Sequence, residues 1–144
     1  MDKKSILFLC THNSARSQLA EALMRHRFSN RFDVYSAGTE ATFVKPHVLT
    51  VLNEWDIDAS GQTSKTTLDL EGLITDIVVT VCDDARENCP FYPGRDETIH
   101  RSFSDPSNVG LTEDERVEAF RRTRDEIDAW LIATFGQDTF QDAI

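Results

Sequence analysis

Cys10 and Arg16 stand six positions apart in the stretch Cys10-Thr-His-Asn-Ser-Ala-Arg16-Ser17. A thiolate is a strong nucleophile, and a guanidinium is a planar fork able to grip two oxygens of one anion. Their flanks say how they would be held. A short apolar run, Ser5 to Leu9, enters, and Gln18-Leu-Ala-Glu-Ala-Leu-Met24 leaves with helical spacing. A strand, a tight loop and a helix are therefore predicted. Such a loop turns backbone N–H groups toward one point, and the helix dipole adds roughly half a positive charge there. Thr11, His12, Asn13, Ser14, Ala15, Arg16 and Ser17 become the expected seat for a tetrahedral oxyanion, with Cys10 set to attack its central atom. A thiol over that positive well is expected to react as thiolate. The plainer alternative is a buried Cys at a strand end beside a surface Arg. Asn13, Ser14 and Ser17 are expected to brace the loop, Ser17 as a hydroxyl donor to the Cys10 sulfur, with His12 at the solvent-facing tip.

Two further cysteines could extend this chemistry. Cys82 ends the apolar run Ile74-Thr-Asp-Ile-Val-Val-Thr-Val81, the clearest strand in the sequence. In an open parallel sheet, ligand sites form at the carboxyl edge, where the first strand also delivers Cys10. Two thiols on one rim could come within disulfide reach; the alternative is a cysteine that merely finishes a buried strand. Between Cys82 and Cys89 the sequence favours a short helix, with early Asp residues and Pro90 as a stop. Seven residues of helix would hold the two Cα atoms about 10 Å apart, beyond the roughly 7 Å a disulfide tolerates. Bonding would require that segment to unwind, which is cheap for a charged helix of about two turns. A zinc site competes, but Cys82-x6-Cys89 lacks the usual short ligand spacing and no His is close. Asp105, in Ser104-Asp105-Pro106-Ser107, could protonate an oxygen that Cys10 displaces; turn chemistry accounts for the same four residues. His26, His47 and His100 receive no role.

The elements that must position these groups alternate between strand and helix signals, the mark of a parallel α/β sheet. The first helix is expected over 17–28 with Leu19, Leu23 and Met24 on one buried stripe. A second strand follows over Phe32–Ala37, stopped by Gly38. Pro46 opens a helix carrying Val48, Leu49, Val51, Leu52 and Trp55. A short helix is expected over 64–72, a weak strand at Glu97–His100, and irregular chain over 90–94. The last helix starts at the capping box of Thr112 and Glu115, buries Val117, Phe120, Ile127 and Leu131, and ends at Gly136, leaving a tail over 137–144.

The totals exclude several classes. At 144 residues with 40% apolar content, one domain over 1–144 is expected. No stretch reads as a signal peptide or a membrane span. Three cysteines fit a reducing cytosol better than a disulfide framework. A net charge of −10 argues against nucleic-acid binding. It does not exclude an anionic substrate, because exposed charges are screened over about 8 Å while loop amides and Arg16 would touch the ligand.

Cys-x5-Arg-Ser directly after the first strand resembles the low-molecular-weight protein tyrosine phosphatase superfamily. With Cys82 and Cys89, the chain is most similar to its thioredoxin-coupled arsenate reductases. The resemblance implies a three-layer α/β fold: a four-stranded parallel sheet with helices on both faces and the nucleophile loop between first strand and first helix. It implies a relay. Cys10 forms a thiol–arsenate adduct, Cys82 attacks the Cys10 sulfur as arsenite leaves, and Cys89 then attacks Cys82, giving a disulfide for thioredoxin to reduce. Glutaredoxin-linked relatives also exist. Asp105 corresponds to the family's general acid, and Ser107 stands where peptide-directed phosphatases usually carry an aromatic residue. Some relatives bind potassium under the loop; Asn13, Glu21 and Ser36 match three of those positions, but Lys65 replaces the expected Asp, so little or no potassium dependence and no resident cofactor are expected. The implied enzyme is a cytosolic, monomeric arsenate reductase with neither nucleic-acid nor membrane partners. The competing readings are a phosphatase for phosphotyrosine or small phosphate esters, and a non-catalytic oxyanion-binding or redox-sensing module.

Overall fold

The structure is a computed structural model that describes residues 3–82, 92–108, 110 and 112–136. The expected short helix after Cys82, Cys89 itself, Pro90 and the tail over 137–144 lie outside the described residues.

Strands β1 (Lys4–Cys10), β2 (Phe32–Gly38), β3 (Ile77–Thr80) and β4 (Glu97–His100) form one sheet in the order β2-β1-β3-β4. Every pairing is parallel. The two inner strands are the apolar ones: Ile6 to Cys10 and Ile77 to Thr80 are all buried, as strands covered on both faces must be. The weak strand proves to be the edge, with polar Glu97-Thr-Ile-His100 mostly exposed. β3 is shorter than expected. It begins at Ile77 because the Asp76 carboxylate accepts from the Ser5 N–H at 2.9 Å and ties off the chain there, leaving Ile74 exposed.

Helices α1 (Arg16–Phe28), α2 (Pro46–Asn53) and α3 (Glu113–Phe135) share one core with the sheet face of Ile6, Phe8 and Cys10, contributing Leu19, Leu23, Val48, Leu52, Phe120, Ile127 and Leu131 among others. The opposite face, Leu7, Leu9 and Val78, packs against Leu70 and Tyr92. Leu70 belongs to a 3-10 turn, Thr67–Leu70, which is all that forms of the expected 64–72 helix. The helical elements thus stand on both faces of the sheet.

The α3 capping box forms as read, with Thr112 accepting from the Glu115 amide and Gly136 at the C-terminus. The single buried stripe expected of α1 is a different matter. Residues 16 to 24 are buried all round, polar Ser17, Gln18 and Glu21 included. Their partners lie in the loop before the helix, on β2 at Ser36 and over 62–65, which sequence periodicity does not register. α2 is shorter than its apolar spacing suggested: Trp55 falls beyond it and Leu49 is exposed.

Candidate active site

Register brings the chemistry together. Cys10, the last residue of β1, is paired with Gly38, the last of β2. The loop then folds back across that glycine. A Cβ on Gly38 would lie 2.6 Å from the Thr11 oxygen and 2.8 Å from the Asn13 nitrogen, so only hydrogen fits. Asn13 takes a left-handed conformation (φ 49°), which asparagine tolerates better than most residues.

Four consecutive loop carbonyls are held from outside. Thr11 O accepts from the Glu40 N–H at 3.0 Å, His12 O from the Ser64 hydroxyl at 3.1 Å, Asn13 O from Gln18 Nε2 at 3.0 Å and Ser14 O from the Lys45 N–H at 3.0 Å. Each peptide is planar, so the N–H following each of these carbonyls points the opposite way, toward the concave side of the loop. Ala15, which precedes α1, offers no capping side chain. A helix start of this kind accepts an anion where a cap would otherwise sit.

The Cys10 sulfur is buried at 2% exposure and carries a free thiol. It lies 2.8 Å from Ser17 Oγ. That oxygen also accepts from Asn13 Nδ2 at 2.8 Å, which leaves the hydroxyl proton available to the sulfur. Arg16 is buried beside it, donating from Nη1 to the Phe103 carbonyl at 3.2 Å. Its Nη2 lies 3.7 Å from Asp105 Oδ2. Asp105 is half-buried, and its other oxygen accepts from the Ser107 N–H at 2.9 Å, so a short turn aims the carboxylate at the loop. Arg16 thus faces the carboxyl, and its chain neighbour Ser17 touches the nucleophile. His12 is exposed, 3.9 Å from Glu40.

A family model described as low molecular weight phosphotyrosine protein phosphatase matches residues 5–137. The chain belongs to that family. An arsenate reductase of Shouchella clausii (strain KSM-K16) is 45% identical over 130 residues, covering 90% of this chain and 93% of that protein. Among solved structures, an arsenate reductase from Archaeoglobus fulgidus superposes with a TM-score of 0.75 at 28% identity, over 92% of this chain and 99% of the other. A thioredoxin-dependent arsenate reductase of Corynebacterium glutamicum gives 0.60 at 26% identity, over 94% of this chain and 64% of the other.

Within this phosphatase family fold, a second thiol reaches the same rim. The Val81 N–H donates to the Leu9 carbonyl at 2.9 Å, continuing the β1–β3 register past Leu9 and Thr80, so Cys82 lies one residue beyond the position opposite Cys10. Neighbouring strands run about 4.8 Å apart. Cys82 is fully buried in the cluster that contains Cys10, and it is disulfide-bonded. Cys89 lies outside the described residues.

The loop rests on a buried polar chain that the motif alone did not reveal. Asn13 Nδ2 also donates to Ser36 Oγ at 2.9 Å, and Ser36 donates in turn to Glu21. Gln18 Nε2 reaches Asn13 Oδ1 at 3.0 Å and the Thr63 carbonyl at 2.9 Å, while Gln62 donates to Gln18 Oε1 at 2.6 Å. Gln18, Gln62, Gly38 and the Phe103 carbonyl are the parts sequence reasoning missed; a glutamine next to the buried stripe of Leu19 and Leu23 was the available signal for the first.

Lys65, standing where the resemblance expects an Asp ligand of potassium, joins this polar chain. Asn13 Oδ1 already accepts from Gln18 and from the Lys65 N–H at 2.8 Å. The Lys65 ammonium lies 3.8 Å from Glu21 Oε1 and donates to Thr63 O at 2.7 Å. The Lys65 ammonium thus stands beside Glu21, and Asn13 Oδ1 already has two donors. Among the described residues, no group of three or more His, Cys, Asp or Glu could hold a metal. No helix among them is long and apolar enough to cross a membrane.

Proposed function

We propose that this protein is an arsenate reductase in which Cys10, Cys82 and Cys89 pass two electrons from thioredoxin to arsenic. The observation that carries the reading is the strand register that puts a second buried thiol position one residue past the partner of Cys10. A hydrolase has no use for it.

Arsenate sits in the loop amides with two oxygens on Arg16. The Cys10 thiolate attacks arsenic, and Asp105 gives its proton to the oxygen that leaves as water, so the thiol–arsenate adduct forms without expelling hydroxide. The Cys82 thiolate then attacks the Cys10 sulfur. A sulfur–sulfur bond forms, the sulfur–arsenic bond breaks, and its electron pair stays on arsenic, which leaves as arsenite. Cys89 displaces Cys10 from Cys82, and thioredoxin reduces the Cys82–Cys89 disulfide. An oxidised Cys82 beside a free Cys10 thiol is the pattern expected once the relay has run. The relatives named arsenate reductase, one of them thioredoxin-dependent, support the same chemistry.

Arsenate and phosphate are near isosteres, so slow phosphate-ester hydrolysis is the second activity to expect. Ser107, whose N–H supports Asp105, stands where a ring would grip phosphotyrosine, which favours the small inorganic substrate. The working enzyme is read as a monomeric, cytosolic single domain, because a thiol relay needs a reducing compartment. With Lys65 in the cation position, turnover is independent of potassium; a several-fold rise on adding potassium at fixed ionic strength contradicts this.

NADPH consumption with thioredoxin, thioredoxin reductase and arsenate tests the function. Cys82→Ser should lose arsenate turnover and keep hydrolysis of p-nitrophenyl phosphate. Arsenate turnover that survives Cys82→Ser, or falls only in step with hydrolysis, would contradict the relay.

A further inference from the structure

A cavity of about 420 Å³ opens between the start of α2 and the start of α3, lined by Lys45, His47, Ser107, Gly110, Arg116 and Phe120. None of these residues belongs to the 10–17 loop. The chain has 25 acidic residues against 15 Lys and Arg, so its cations have ample choice of carboxylate partners. Yet three basic side chains line this one space, and two of them take no carboxylate. Among the described residues, Lys45 has only the Phe43 ring, 5.1 Å from its ammonium, and Arg116 makes no side-chain hydrogen bond or ion pair. The third, His47, is stacked on Phe120 with centroids 4.9 Å apart and bonded through Nε2 to Glu113. That bond occupies the acid nearest the ring.

The backbone adds to the same field. Lys45 caps α2 without a side-chain hydrogen bond, so the positive end of that helix dipole opens beside the cavity. Gly110 has φ +92°, and a Cβ there would lie 2.8 Å from Glu115 Cβ, so the chain can turn at this wall only without a side chain. The hydroxyl-bearing Ser107 completes the lining. Uncompensated cations, a hydroxyl and a helix start are the recognition chemistry of a tetrahedral oxyanion.

We propose that this cavity is a second oxyanion site, for sulfate, phosphate or arsenate, beside the catalytic loop. Its walls are joined to the active site at two points. The Lys45 N–H holds the Ser14 carbonyl at 3.0 Å, and the Ser107 N–H holds Asp105 at 2.9 Å. An anion here is therefore one hydrogen bond from the loop and one from the acid.

The test is a sulfate titration of the full chain followed by amide nitrogen–proton NMR, which involves no turnover and so stands apart from the arsenate reaction. Two groups of amides should shift with different midpoints, one over 11–17 and one comprising His47, Gly110 and Arg116. In Arg116→Gln, the second group should need severalfold more sulfate while the first keeps its midpoint. Acetate at matched ionic strength should not move the second group. The proposal is overturned if the second group does not shift, shifts equally with acetate, or titrates unchanged in Arg116→Gln.

Discussion

The Ser17 hydroxyl lies 2.8 Å from the Cys10 sulfur and is placed to donate to it while its oxygen accepts from Asn13. A hydrogen bond to a charged group contributes about 1.5–3 kcal/mol. Ser17→Ala should therefore slow both arsenate turnover and iodoacetamide alkylation of Cys10 at pH 7 by about 10–100-fold. Unchanged alkylation would remove Ser17 from the thiolate's support. Asp105 makes a different prediction, since its carboxyl faces Arg16 but its proposed work is proton delivery. Asp105→Asn should lower kcat by about 10²–10⁴-fold and leave phosphate inhibition no weaker, because the anion loses a neighbouring negative charge. Loss of phosphate binding with kcat intact would make Asp105 a positioning group instead. At this scale the sequence was informative wherever a residue type announces its chemistry: Ser17 stands against Cys10, and Asp105, far along the chain, faces Arg16. Gln18 and Gln62 were not legible, because an amide's value depends on partners 44 residues away.

The strand–loop–helix unit is the element on which the site depends, and Gly38 is its tightest point. Gly38→Ala should cost about 1–3 kcal/mol and most of the activity, since the added methyl meets loop backbone rather than a side chain able to swing away. Gly61→Ala, where nothing lies within 4 Å, is the matched control and should do neither. Urea midpoints with parallel rates check both; a harmless Gly38→Ala would mean the loop does not rest on β2. The strands and the α3 cap were readable because apolar runs and capping boxes are local signals. The full burial of α1 was not, because its polar residues are satisfied by the loop, by Ser36 of β2 and by the chain over 62–65. Nor was the 3-10 turn at Thr67–Leu70, which packs Leu70 on the sheet face of Leu7, Leu9 and Val78.

Across the whole molecule, Asp76 fastens the N-terminal end of β1 to the chain entering β3 and β4. The Ser5 N–H, and with it Arg95, holds the Asp76 carboxyl below the usual carboxylate range. A carboxyl lowered in the folded state binds protons less readily there than when unfolded. Its contribution is complete above about pH 4 and is lost as pH falls through the folded value. Unfolding free energy should hold down to that point and then drop, and Asp76→Asn should flatten part of the drop; Glu54, lowered chiefly by Arg121, supplies more of it. An identical acid profile in Asp76→Asn would contradict the linkage. The net charge of −10 tells little about the substrate, because the groups that would touch an anion are local and cationic. The family relationship places this chain among phosphatases and arsenate reductases alike, so the sulfurs must decide between them. The direct measurement is mass spectrometry of Cys89→Ser, reduced beforehand, then quenched after one equivalent of arsenate. The account predicts one arsenite released and a disulfide joining Cys10 to Cys82; arsenite released with both thiols still reduced, or no arsenite at all, would contradict it.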